Sequence, residues 1–261
     1  MLQVSRLTKR YGSLTALIDV SFSVRPGEIL GVIGPNGSGK TTLFECLGGV
    51  LPADGGSLLR DMRPLTAAER TATVFYLPDL IAPWPTETVG WALRFVAGFW
   101  GPAPKIVADG GVGVRPETNS HVPKLGSDSE AIEDTVRRLE LEPLLDVRIG
   151  ALSKGQRKRA LLAIGLLTPQ PILMADEPFD GLDLRQTREV AQTLRHYAAA
   201  GRTMILSIHQ IADAARVCDR FVLLSGGRAR GEGTLAELGA LASSRGAAAG
   251  SSLEEIFLAL T

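Results

Sequence analysis

Gly34, Pro35, Asn36, Gly37, Ser38, Gly39, Lys40 and Thr41, with Thr42 following, satisfy the pattern GxxxxGK[ST] at every fixed position. This is chemistry for gripping a phosphate chain. Glycines let the backbone curl so that successive N–H groups face phosphate oxygens. A helix opening at the end of the loop adds the partial positive charge of its N-terminus. Lys40 would reach the β- and γ-phosphates, and the Thr41 hydroxyl would ligate Mg²⁺. The pattern alone defines a nucleoside triphosphate site and nothing finer.

Asp176 and Glu177 follow directly on the apolar run 172–175. An Asp so placed holds Mg²⁺ through water, and the adjacent Glu polarises an attacking water. His209 closes the next apolar run, 204–208. A side chain at the end of a parallel strand faces the ligand edge of its sheet. The asparagines are Asn36 and Asn119 alone, so the Asn-Lys-x-Asp segment that reads guanine is absent. No His-Arg-Asp or Asp-Phe-Gly segment points to a protein kinase.

These side chains need strands that end along one edge. Alternation of Leu2, Val4 and Leu7, then of Leu17, Val20, Phe22 and Val24, predicts antiparallel strands. Pro26-Gly27 predicts a turn, and 28–33 a buried parallel strand. Further strands are expected at 73–77, 171–175, 202–207 and from 221 to 231, with helices at 39–48, 153–167 and 184–200. Strands alternating with helices define an α/β fold, here a P-loop core with a parallel sheet and an N-terminal antiparallel β subdomain. Residues 84–100 and 129–145 read as helices with no strand between them, so a helical lobe is expected at about 81–160, inserted in the core. Within it 101–128 is rich in Gly and Pro and reads as a flexible surface insertion. The core is expected to span 1–235. Residues 236–261 read as a linker, Ala/Ser/Gly-rich over 240–252, and an amphipathic helix capped by Ser252 and Glu255.

Composition narrows the partners. Hydrophobic residues are 45% and charged residues 21%, which argues against global disorder. Lys+Arg and Asp+Glu are 28 each, so the net charge is zero and nucleic acid is not an expected partner. Cys46 and Cys218 lie in apolar stretches without ligand spacing and read as buried thiols in a reducing compartment. The N-terminus shows no signal-peptide pattern, and no apolar run reaches the roughly 20 residues of a membrane span.

Leu152-Ser153-Lys154-Gly155-Gln156 resembles the signature motif of ABC proteins, usually Leu-Ser-Gly-Gly-Gln. With the phosphate loop, Asp176-Glu177-Pro178, Gly181-Leu182-Asp183 and His209 in that order, residues 2–235 resemble the ATP-binding subunit of an ABC transporter. The resemblance implies that ATP and Mg²⁺ are the ligands. Tyr11 would stack on adenine, and residues 34–42 would cradle the phosphates. Thr41 and Asp176 would serve the metal, Glu177 would be the general base, and His209 would contact the γ-phosphate. Ser153, Lys154, Gly155 and Gln156 would meet the ATP of a second, head-to-tail ATP-binding subunit, and Asp183 would signal across that dimer. A separate transmembrane subunit would supply the pore, with this chain on the cytoplasmic inner face of the membrane. The closing Leu-Glu-Glu-Ile-Phe-Leu-Ala-Leu segment resembles the tail of bacterial drug-exporter ATPases, which points to export.

Two positions depart from the pattern. Lys154 replaces a glycine, a minor change. Asp79 stands after the 74–78 strand where a glutamine belongs, and no glutamine lies between Gln3 and Gln156. Asp79 would either keep a metal contact with altered coupling or point into solvent. A soluble ABC ATPase acting on ribosomes or DNA, and a regulatory subunit with weak hydrolysis, are the competing classes. Single-cassette length and neutral charge argue against the first, and Glu177 and His209 against the second.

Overall fold

A computed structural model describes residues 1–79, 81–100, 129–246 and 250–261. The insertion expected at 101–128 lies outside them. Strands β1 (Leu2–Tyr11) and β2 (Leu14–Val24) form an antiparallel hairpin whose turn includes Gly12 at φ +59°. A turn at Gly27 leads to β3 (Ile29–Ile33), which runs through the phosphate loop into α1 (Lys40–Gly48). The chain returns to the first sheet through β4 (Gly55–Arg60) and β5 (Arg63–Pro64). Helix α2 (Ala67–Thr73), capped by Thr66, then leads to β6 (Val74–Leu77).

Helices α3 (Val89–Trp100) and α4 (Ser129–Arg138) precede α5 (Lys154–Leu166) and pack against it. Next come β7 (Ile172–Asp176), α6 (Leu184–Ala199), β8 (Thr203–Ile208), α7 (Ile211–Val217) and β9 (Arg220–Ser225). The chain closes with β10 (Arg228–Gly233), α8 (Leu235–Ser243) and α9 (Leu253–Leu260). No helix among the described residues is long and apolar enough to cross a membrane.

Among the described residues the strands form two sheets, ordered β2-β1-β4-β5 and β10-β9-β3-β8-β7-β6. The first is antiparallel. In the second, β9, β3, β8, β7 and β6 are parallel and only β10 runs against its neighbour. The period of two sorts side chains to opposite faces. Leu30 and Val32 join the core beneath the antiparallel sheet, with Ile172 and Met174, while Ile29 and Ile33 join the core shared with the helices, with Leu173 and Ala175. All five residues of β3 are buried, and full burial of each Ile, Leu or Val contributes about 1.5–3 kcal/mol. The parallel register, with Asp176 opposite Ser207 and Ile33 opposite Ile208, brings these strands to an end along one edge.

Several elements differ from the sequence expectation. The helix expected from 84 begins at Val89, because Thr88 Oγ1 accepts from Trp91 N, 3.2 Å away, and residues 85–87 turn instead. The helix expected over 129–145 stops at Arg138; Glu140 takes φ +50°, and Glu142–Leu144 forms a separate 3-10 turn carrying Pro143. The stretch leading into the expected linker is helical, and the helix runs into its first residues, to Ser243. Thr234 and Glu237 make a capping box that starts α8, which buries Leu238 and Ala242 against β10 and α9. Strand β4, opening Gly55-Gly56, helix α2 and helix α7 were not expected. Both cysteines are free and buried.

Candidate functional site

The phosphate loop turns out of the buried β3 and ends where α1 begins. Two of its glycines have no room for a side chain. A Cβ on Gly34 would lie 2.3 Å from Leu224 O, and one on Gly39, at φ +104°, would lie 2.8 Å from Ala16 O. Pro35, Asn36 and Gly37 form the exposed rim, with Ser38 buried behind them. Ser38 Oγ is buried without a hydrogen-bond partner, an orphan donor of the kind a phosphate oxygen satisfies. Lys40, 7% exposed, donates to Gly34 O at 2.8 Å and Pro35 O at 3.4 Å. Thr41 and Thr42 follow in the first turn of α1, where unpaired N–H groups and the helix dipole favour an anion.

The ends of β7 and β8 face this loop. Thr41 Oγ1 donates to Asp176 Oδ2 at 3.0 Å across 135 residues of sequence. Ser207 Oγ, fully buried, donates to the other oxygen of Asp176. Ser207 was missed in the sequence, although a hydroxyl in the apolar run 203–208 was the available signal. Glu177 takes the left-handed conformation at φ +48°, strained for a residue with a Cβ. Ser207 O and Oγ hold its N–H, at 3.1 and 3.3 Å. Its Oε2 accepts from His209 N at 3.1 Å and lies 2.6 Å from His209 Nδ1, while Oε1 lies 3.8 Å from Lys40 Nζ.

Tyr11 ends β1 with an exposed ring, and Lys9 Nζ stands 5.5 Å from the ring centre. Asp183 caps α6, its Oδ1 accepting from Gln186 N at 2.8 Å. Ser153 and Gln156 form a capping box at the start of α5, with Ser153 N donating to Gln156 Oε1 at 2.9 Å. Gly155 is packed so closely that a Cβ there would lie 2.5 Å from Gly181 O. Lys154 donates to Asp180, and that hydrogen bond holds the Asp180 carboxyl below its ordinary range and raises the Lys154 ammonium above its own. Among the described residues no hydrogen bond or ion pair joins residues 153–156 to the phosphate loop.

Asp79 does not point freely into solvent but is engaged by a lysine. Its Oδ1 accepts from Lys158 Nζ at 2.6 Å, and the same ammonium lies 3.3 Å from Asp176 O. Lys158 was not singled out in the sequence. Among the described residues there is no cluster of three or more His, Cys, Asp or Glu able to cage a metal.

A phosphate loop, a strand-end Asp and Glu, and a following His on a parallel sheet define a P-loop nucleoside triphosphatase. Residues 17–180 match the family model described as ABC transporter. The chain is 32% identical over 241 residues to the Nod factor export ATP-binding protein I of Ralstonia nicotianae, covering 91% of this chain and 68% of that one. It is equally 32% identical, over 242 residues, to the hemin import ATP-binding protein HmuV of Thermobifida fusca, covering 91% and 78%. A solved ATP-binding subunit of an ABC transporter superposes with a TM-score of 0.81 at 26% identity, covering 100% of this chain and 99% of the other. The chain belongs to the ABC transporter family, as an ATP-binding subunit, and it is an ATPase.

Proposed function

We propose that two such ATP-binding subunits clasp ATP between the phosphate loop of one and residues 153–156 of the other, and that hydrolysis drives a separate transmembrane subunit. The observation that carries the site's chemistry is the meeting of Thr41 and Asp176 at 3.0 Å. A hydroxyl and one carboxylate form too small a set to cage Mg²⁺, but they suit Mg²⁺ that also binds substrate phosphates and waters. The metal, when bound, neutralises charge on the phosphate oxygens.

Lys40 exchanges the carbonyls of Gly34 and Pro35 for phosphate oxygens, and Ser38 Oγ gains its missing partner. Tyr11 offers its open ring to the adenine. Glu177 accepts a proton as water attacks the γ-phosphorus; the new O–P bond forms while the β–γ bridging bond breaks. His209 holds the Glu177 carboxylate in line. Ser153 Oγ and the first N–H groups of α5 suit an anion, yet they make no contact with the phosphate loop of their own chain, so a second subunit facing head to tail uses both surfaces. Asp183, the cap of α6, would carry the signal between the two subunits.

This reading places the chain at the cytoplasmic face of the membrane, held by the transmembrane subunit. The likeness of the closing segment to drug-exporter tails favours export. Reconstitution with the membrane subunit tests both: substrate should leave the ATP side, and uptake to that side overturns the direction while leaving the ATPase reading intact. Steady-state hydrolysis with and without Mg²⁺ tests the metal.

A further inference from the structure

We infer that α5 is clasped to the nucleotide site by two lysines one turn apart, Lys158 on Asp79 and Lys154 on Asp180, and that the inner pair positions the signature helix for catalysis. The inference rests on the reading of residues 153–156 given above. Lys154 and Lys158 are related as i and i+4 and so share one face of α5. Their partners come from two different core segments: Asp79 just past β6, and Asp180 just past Glu177.

The inner pair carries most of the argument. Lys158 is 5% exposed and spans 2.6 Å to Asp79 Oδ1 and 3.3 Å to Asp176 O. One buried ammonium therefore ties the helix to the strand end that bears Asp176. A neutral amide at position 79 would leave that ammonium without a counter-charge, which is the costly case for a buried ion. The outer pair is exposed, but the Lys154 stem lies over Gly181, where a Cβ would meet Lys154 Cγ and Cδ at 2.9 Å. Both departures of this chain from the family pattern, Lys154 and Asp79, thus belong to one arrangement. The Asp79 charge is committed to Lys158, so Asp79 is a positioning residue and not a metal ligand.

The test is a cycle of Asp79→Asn, Lys158→Met and the double variant. Each single change should lower kcat about ten-fold and alter KM for ATP by less than about two-fold, while the double recovers to within about three-fold of the parent. The Mg²⁺ concentration for half-maximal rate should stay the same in all three. An additive double variant, or an Asp79→Asn chain as active as the parent, overturns the clasp. A Mg²⁺ requirement raised about ten-fold by Asp79→Asn alone overturns it in favour of metal ligation. Thermal unfolding of the nucleotide-free chain reads the pair apart from hydrolysis. Loss in each single variant with recovery in the double upholds the pair, and additive losses overturn it. A parent chain that never pairs or hydrolyses ATP defeats the proposed function and leaves this unfolding cycle to decide the clasp.

Discussion

Glu177 Oε2 lies 2.6 Å from His209 Nδ1 and 3.1 Å from His209 N, so one residue grips the same carboxylate oxygen with ring and backbone together. The backbone of Glu177 is held at φ +48° by Ser207, and its side chain by His209. A general base contributes about 10²–10⁴-fold. Glu177→Gln should lower the hydrolysis rate by at least about 100-fold while leaving ATP affinity within a few-fold of the parent. His209→Ala should lower it comparably, and the double variant no further, because residues acting as a unit are not additive. Steady-state rates and equilibrium ATP binding on the three variants check this.

Gly39→Ala should remove the phosphate grip. The added Cβ would sit 2.8 Å from Ala16 O in a backbone at φ +104°. Strain of that kind costs about 1–3 kcal/mol before the clash is counted. Thermal unfolding should shift down and ATP binding should weaken by about ten-fold or more, since 1.4 kcal/mol is a factor of ten. Calorimetric binding and melting of the purified variant measure both.

Ser153 and Ser252 form capping boxes of the same design, at the starts of α5 and α9. Replacing either by Ala should cost about 1 kcal/mol of stability. Only Ser153→Ala should also impair ATP-driven pairing of two subunits. Denaturant unfolding matched against sedimentation in ATP separates the cap from the function.

The Lys154–Asp180 pair should be indifferent to pH across the neutral range. Its hydrogen bond lowers the Asp180 pKa from 3.8 and raises the Lys154 pKa from 10.5. The carboxylate's contribution is therefore present above 3.8 and fades as pH falls through the lowered value; the ammonium's is present below 10.5 and fades as pH rises through the raised value. With side chains 53% and 31% exposed, the pair should contribute less than about 1 kcal/mol after screening. The stability difference between the parent and Lys154→Met should be constant between those limits and shrink beyond them.

Much of the site was legible because its chemistry is local. The phosphate loop needs consecutive residues, and Asp176, Glu177 and His209 each announce a strand end by following an apolar run. The alternation of Leu2, Val4 and Leu7 and the apolar run of β3 likewise gave the two kinds of sheet. What escaped depended on partners distant in sequence. Asp79 finds its counter-charge 79 residues away on Lys158, and Asp176 finds Ser207 31 residues away. Strand β4 opens on Gly55 and Gly56, poor strand formers, and is held by pairing of Gly55 and Ser57–Arg60 with β1. The Ala/Ser/Gly content of 240–252 suggests a linker, yet a Thr234 cap and burial of Leu238 and Ala242 carry α8 into its first residues, to Ser243.

Sedimentation of the Glu177→Gln chain with and without Mg²⁺-ATP bears most directly on the head-to-tail arrangement. The chain should sediment as single subunits without nucleotide, as pairs with it, and without pairs once Ser153→Ala is added. Single subunits at saturating ATP, with nucleotide demonstrably bound, would contradict that arrangement.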